Sequence, residues 1–338
     1  MKKIHLFLVL LAFMIASTGC SKQEVKSAGE SKTKTIRIGI QQSLGPLLLA
    51  KEKGWFEKEF AKDGVKVQWI EFQSGPPHFE AMASNNLDFG AVGNSPVISA
   101  QAAGIDFKEI SKGSNGEKGD AILVPKDSSI HDLKDLKGKK IAVAKGSSGF
   151  NFLYKALEYA GLKASDIEMI QLQPDEAQAA FETKKVDAWA IWEPFISYEV
   201  IKKQARVIAD GEDLHAYSPG FVIARTKFIE KNPDLTVKFL KVYEQVRRWQ
   251  NEHFEEAVDL YAKAKKLDKQ VVIRALQNNP PLNEPITEDI IQAQQQTADF
   301  QYEQKVIKTK IDVSKVVDNR YINKALQELK KEGEKQNE

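Results

Sequence analysis

From residue 35 to residue 191 the chain alternates short apolar runs of strand periodicity with segments of helical spacing. That alternation restricts the fold to α/β architectures. Thr35–Ile40 (TIRIGI) has the alternating pattern of a half-buried strand. Residues 47–60 read as a helix, 65–72 as a strand, 76–84 as a helix, Phe89–Val92 as a strand and 95–103 as a helix, followed by the apolar stretch Phe107–Ile110. Strands are then expected at Ala121–Val124, Ile141–Ala144, 167–172 and Asp187–Ile191, with helices at 150–160 and 175–184. Strands separated by helices predict mostly parallel sheets covered by helices. No internal repeat is present.

After residue 220 the texture changes. Phe221–Ala224 is a short strand, and the chain is mainly helical from about residue 227. Asn232-Pro233 reads as a cap followed by a first helical residue; Asp268 and Thr287 read as caps of later helices. Residues 330–338 read as a frayed charged tail. About 300 ordered residues exceed the usual size of one compact core, so two lobes are expected.

The N-terminus sets the compartment. Lys2 and Lys3 precede an apolar stretch, residues 4–16, too short to span a bilayer comfortably. Ser17, Thr18 and Gly19 lead to Cys20, the one cysteine of the chain. This looks like a bacterial lipoprotein leader, with cleavage before Cys20 and a lipid on its sulfur. The alternative is an ordinary signal peptide with an incidental thiol. Residues 21–34, polar and without aromatics, read as a flexible tether. With a single cysteine no intramolecular disulfide can form, so apolar cores must hold the lobes. The full chain has a formal charge of +2, and loss of residues 1–19 with their two lysines leaves +2 − 2 = 0. A neutral exported chain is a poor partner for nucleic acid.

The way the helices begin carries the chemistry. The strand at Ile141–Ala144 runs into Lys145-Gly146-Ser147-Ser148-Gly149 and then a helix. Ser147 or Ser148 can cap it, and free N–H groups at its positive end then face the C-terminal edge of the sheet, where α/β proteins bind ligands. Ser43-Leu44-Gly45-Pro46, Ser74-Gly75-Pro76-Pro77 and Gly93-Asn94-Ser95-Pro96 repeat this arrangement, with Pro46 suited to the first helical position and Ser95 to the cap. Lys145 is the one basic residue in these turns. Hydroxyls and amides with few cations suit a small anion with a delocalised charge, such as a sulfonate; a phosphate monoester would call for arginine. A strand ending in Trp192-Glu193-Pro194 reaches the same edge. Alternation puts Trp189 and Trp192 on opposite faces. Trp189 reads as core and Trp192 as an apolar wall for an organic tail. Glu193 can pair with an amine on the ligand, bond backbone at a hinge, or form a salt bridge across the cleft.

These strings resemble the solute-binding proteins of ABC transporters for aliphatic sulfonates, within the larger group that also binds taurine, nitrate and thiamine-pyrimidine precursors. The matching segments are LGPLLLAKEKG (Leu44–Gly54), FQSGPPHFEA (Phe72–Ala81), LDFGAVGNSPVISAQAAG (Leu87–Gly104), GDAILVPKDS (Gly119–Ser128), LKGKKIAVAKGSSGFNFLYKALEYAG (Leu136–Gly161) and VDAWAIWEPF (Val186–Phe195). The resemblance implies a periplasmic-binding-protein-like fold of type II, with two α/β lobes joined by a two-strand hinge. Lobe one would comprise 35–118 plus 221–338, and lobe two with the hinge strands 119–220. The hinge would lie near Gly119–Ile122 and Ser218–Val222. Turns and resemblance together mark Gln41, Leu44, Gly45, Asn94, Ser95, Gly146, Ser147, Ser148, Phe150, Trp192 and Glu193 as candidate ligand-binding residues. The expected partners are a small organic sulfonate, an ABC permease with its cytoplasmic ATPase, and a membrane through the lipid on Cys20. The protein is expected to be a monomer without cofactor or metal.

The rival reading is an enzyme. After the leader, histidines occur at 78, 131, 215 and 253. None forms an HExxH pair; G-x-S-x-G and P-loop motifs are absent, as is a metal-ligand cluster. His78 follows two prolines at a helix start and reads as a solvated first-turn histidine. A fold relative with pyrimidine-synthesis activity exists, but the leader argues against that role here.

Overall fold

The computed structural model describes residues 35–336. The leader (1–19), Cys20 and the tether (20–34) lie outside the described residues.

Two five-stranded sheets organise the chain. The first begins with β1 (Thr35–Gln41), α1 (Pro46–Lys53), α2 (Trp55–Ala61), β2 (Lys66–Phe72), α3 (Pro76–Ala83), β3 (Phe89–Gly93), α4 (Asn94–Ala102) and β4 (Lys108–Ser114). The second comprises β5 (Asp120–Val124), β6 (Lys140–Val143), α5 (Ser148–Tyr159), β7 (Glu168–Gln171), α6 (Pro174–Glu182), β8 (Ala188–Trp192), α7 (Phe195–Lys203) and β9 (Arg206–Asp210). The chain then returns through β10 (Gly220–Ala224), α8 (Thr226–Lys231), α9 (Pro233–Glu252), α10 (Phe254–Lys265), α11 (Lys269–Asn278), α12 (Glu288–Glu303) and α13 (Arg320–Gln336).

The strand orders are β2-β1-β3-β10-β4 and β7-β6-β8-β5-β9. The pairs β1–β2, β1–β3, β6–β7 and β6–β8 are parallel, as the alternation predicts. Both sheets are nevertheless mixed. β10 runs antiparallel to β3 and β4, and β5 antiparallel to β8 and β9. Each of these strands enters its sheet from the other one, so no helical crossover sets its direction.

Helices cover both faces of each sheet. On one face of the first sheet, Ile36, Ile38 and Ile40 pack with Leu48, Phe56, Phe239 and Val272 from α1, α2, α9 and α11. Phe89 and Phe239 stack at 4.1 Å between centroids, and burying each such ring contributes about 1.5–3 kcal/mol. The opposite face packs Phe79, Val97 and Phe107 with Phe221 and Ile223. The second sheet is covered by α5 on one face and by α6 and α7 on the other. β5 and β8 are buried along their whole length.

Three local expectations are corrected. The helix over 47–60 is two helices, because Gly54 turns left-handed (φ 64°) between α1 and α2. Ser95 is not the cap of α4: Gly93 holds that position and Asn94 is already helical. The tail is helical to Gln336, because Ile322, Ala325 and Leu329 form a buried stripe and Lys241 of α9 binds Glu328 and Glu332 on the flank. The cap at Asp268 is present, accepting from the Gln270 N–H at 2.8 Å.

Two connections join the sheets, residues 115–119 and 211–219, and they touch backbone to backbone. The Ser218 N–H donates to the Gly116 carbonyl at 3.1 Å. Gly116 has φ +72°, and a Cβ there would lie 1.8 Å from the Ser218 carbonyl oxygen. A Cβ on Gly211 would lie 2.4 Å from that of Glu117.

Candidate functional site

A cavity of about 160 Å³ opens where the C-terminal ends of β1 and β3 face those of β6 and β8. It is roughly tenfold larger than one water requires. Gln41, Ser43, Leu44, Gly45 and the first turn of α1 line one side; Asp120, Ser147, Ser148, Trp192 and Glu193 line the other. Ser114, Ser218, Tyr243 and Asn279 contribute from β4, the second connection, α9 and the end of α11.

Both facing helix starts follow from their sequence. Pro46 occupies the first position of α1, where its missing N–H costs nothing, and Gly45 precedes it with an extended backbone. In α5, Gly146 turns left-handed (φ 75°) and Ser147 becomes the cap. Ser147 Oγ accepts from the Phe150 N–H at 3.1 Å and donates to the Ala144 carbonyl at 2.7 Å. Its hydroxyl is therefore committed to the turn. Ser148 Oγ donates to Asp120 Oδ1 at 2.7 Å.

The candidate residues divide by position. Gln41, Leu44, Gly45, Ser147, Ser148, Trp192 and Glu193 line the cavity. Asn94, Ser95, Gly146 and Phe150 are not among its lining residues. Asn94 and Ser95 are fully buried against α12, where Gln294 donates to the Asn94 carbonyl (3.0 Å) and Gln301 to Ser95 Oγ (2.9 Å). Phe150 packs in the core under α5. Trp189 is wholly buried, whereas Trp192 retains 9 % exposure on the cavity wall.

Glu193 is held from two sides. Its carboxylate accepts from the Ser197 N–H (3.0 Å), the Ser197 hydroxyl (2.9 Å) and Asn278 Nδ2 (2.6 Å), with Arg274 at 3.8 Å. Burial raises its pKa, and these donors oppose the rise. The carboxylate thereby ties the end of β8 to α11.

His78 corrects the reading of a solvated histidine. It is fully buried, its ring 4.3 Å from that of Phe72 and its Nδ1 3.3 Å from the Ser74 carbonyl. Its ring fills the space above two strand glycines: a Cβ on Gly39 or Gly90 would lie 2.7 Å from its Cδ2. Burial pushes its pKa down to about 4, so the ring is neutral at pH 7.

Sequence reasoning missed Asp120, Ser218, Tyr243 and Asn279. Asp120 opens β5 and is paired in register with Trp192 of β8, so both project toward the cavity. The local signal was the Gly119-Asp120 pair at a strand start; Tyr243 and Asn279 lie on helices whose pattern carries no mark of a cleft. Among the described residues no group of three or more His, Cys, Asp or Glu side chains is placed to hold a metal ion. Nor, among them, is any helix long and apolar enough to cross a membrane.

Residues 41–257 match the family model described as NMT1/THI5 like. A provisionally named aliphatic sulfonates-binding protein of Bacillus subtilis (strain 168) is 57% identical over 328 residues, 97% of this chain and 98% of that protein. Another with the same name, from Escherichia coli (strain K12), is 36% identical over 85% of this chain and 89% of its own length. Among solved structures, the alkanesulfonate-binding protein SsuA from Xanthomonas axonopodis pv. citri bound to MOPS superposes with a TM-score of 0.80 at 32% identity, covering 86% of this chain and 99% of that one. These relatives are named as binding proteins, in agreement with the reading of a binder over an enzyme. The chain belongs to the NMT1/THI5-like family, with the aliphatic sulfonates-binding proteins as its relatives there.

Proposed function

We propose that the protein captures an aliphatic sulfonate between two lobes and delivers it to an ABC permease driven by a cytoplasmic ATPase. The observation that carries this reading is the convergence of the α1 and α5 N-termini, one from each sheet, on a single cavity with Trp192 in its wall. The relatives' names support the same ligand class. In this reading lobe one is 35–118 plus 221–338 and lobe two is 119–220. The hinge lies near Gly119–Ile122 and Ser218–Val222, beside the close contact of Gly116 with Ser218. Ligand contacts to both lobes then favour the closed form. Cys20 carries the lipid that keeps this extracytoplasmic monomer at the membrane.

A thermal-shift panel tests the ligand class. Alkanesulfonates should raise the melting temperature more than nitrate, sulfate or pyrimidines, with ~2.7 kcal/mol of stabilisation at a hundredfold excess over Kd. A panel in which pyrimidines win overturns the assignment. Replacing Ser148 by leucine, with the Ser147 cap of α5 left in place, should abolish binding without unfolding the protein.

A further inference from the structure

The cavity presents an electrostatic conflict. It is lined by two buried carboxyl groups, Asp120 and Glu193, while Lys, Arg and His are absent from its lining. Glu193 is satisfied by Ser197, Asn278 and the nearby Arg274. Asp120 is not. Only 2 % of it is exposed, its Oδ1 accepts from Ser148, and among the described residues its Oδ2 has no partner at hydrogen-bond geometry. The Ser218 hydroxyl in the same wall is also without a partner at hydrogen-bond geometry. An ionised Asp120 would repel an anion in a low-dielectric cavity with no lining cation to compensate.

We propose that Asp120 takes up a proton from solvent when the cleft binds its anion. Its carboxylic O–H then donates to a sulfonate oxygen while Ser148 continues to donate to Oδ1. Asp120 is thus a specificity-determining residue: it supplies the hydrogen that a permanently ionised sulfonate cannot bring. The inference rests on the sulfonate reading above.

Burial favours the proton. It pushes the Asp120 carboxyl up to about 6, against the hydroxyls of Ser148 and Ser218, which oppose the rise. The ionisable groups around it are few. Glu193 shares the cavity wall. Tyr243 faces the cavity from α9 with its own ionisation pushed far up by burial. Asp210 on β9 pairs with Ala121, which puts it on the opposite face of the sheet. Lys118, in the preceding connection, is exposed and bound to Glu212.

Calorimetry with ethanesulfonate between pH 5.5 and 8.5, in buffers of different ionisation enthalpy, tests this. The expected result is uptake of close to one proton per ligand at pH 7.5, with Kd weakening by up to about tenfold per pH unit above ~6. Asp120→Asn keeps a permanent donor and should bind with a Kd that no longer depends on pH. The wild-type proton count stands even should that variant fail to fold. Binding with no proton uptake and a flat Kd overturns this inference alone. So does a variant that loses only amine-bearing sulfonates, since a carboxylate would then be reading an ammonium. Failure of every alkanesulfonate to bind at any pH overturns the sulfonate reading as well.

Discussion

Glu109 should make this protein less stable as the pH rises from 5 to 8. It lies on β4 at the edge of the first sheet, 1 % exposed, and its Oε1 has no hydrogen-bond partner among the described residues. Burial with no compensating charge pushes its pKa up to about 8, from 4.5 for a free glutamate. The folded state therefore keeps its proton while the unfolded chain releases it, and stability falls across the window from 4.5 to 8. Each pH unit in that window is worth ~1.36 kcal/mol. Allowing for the rounded ends of both titrations, the loss between pH 5 and pH 8 is roughly 3–4 kcal/mol. Glu109→Gln keeps the shape and removes the titration. A buried amide has its own cost, but that cost does not depend on pH. Urea unfolding of both proteins at pH 5, 6.5 and 8 gives two stability curves, and their difference cancels every other titrating group. The difference should change by roughly 3–4 kcal/mol in favour of the glutamine variant between pH 5 and 8. Two curves that stay parallel within about 1 kcal/mol would refute the assignment of a protonated, unpaired carboxyl to this site.

His78 gives the opposite slope. Its pKa is depressed to about 4, so its contribution is full above 6.5 and is lost as pH falls toward 4, by about 3 kcal/mol in denaturant titrations compared with His78→Gln. Gly90→Ala should cost about 1–3 kcal/mol at any pH, because its methyl meets the His78 ring. Gly116→Ala, with a Cβ 1.8 Å from a carbonyl oxygen at positive φ, should lower stability by more than ~2 kcal/mol in the same assay. Trp192→Ala should weaken long alkyl tails in calorimetry by more than it weakens methanesulfonate, and an equal loss for both would argue against a tail wall. Gln301→Leu should leave Ser95 and Asn151 without the amide they share and weaken ligand affinity by about tenfold with no ligand contact removed.

What could be read from the chain was local. The period-2 runs and the Gly/Ser turns located β1, β3, β6, β8 and the starts of α1 and α5, because each signal lies within a few residues of what it specifies. Direction of β5 and β10 was not legible, since each pairs with strands far away in sequence. Neither was β9, whose RVIAD run has too little alternation to stand out beside the charged loop after it. The burial of His78 was misread because its flanking prolines describe only the helix start. The better signal was two glycines inside strands, Gly39 and Gly90, which mark a close approach by another group. The site divides in the same way: Ser148 and Trp192 belong to turns with their own chemistry, whereas Tyr243 and Asn279 lie more than 50 residues beyond the end of β8.

In the proposed two-lobe reading, the contacts that join the two sheets and their helices set how far a ligand can control closure. Gln42 donates to Asp175 at 3.3 Å and Lys202 faces Asp268 at 3.2 Å, both exposed and each worth at most ~1 kcal/mol. Asn278 to Glu193 and Gln301 to Asn151 are more buried, and each contributes about 0.5–3 kcal/mol net. The apolar cores, in contrast, lie around each sheet. In the proposed two-lobe reading the four bonds just named are polar, and water can replace most of them when the cleft opens. A ligand bound with micromolar affinity supplies about 8 kcal/mol in total, and only the part of it gained from both sides at once counts toward closure. The four bonds named sum to at most about 8 kcal/mol, comparable with that total, so in this reading the ligand's share decides the balance. A large apolar interface between the sheets would have fixed it irrespective of the ligand.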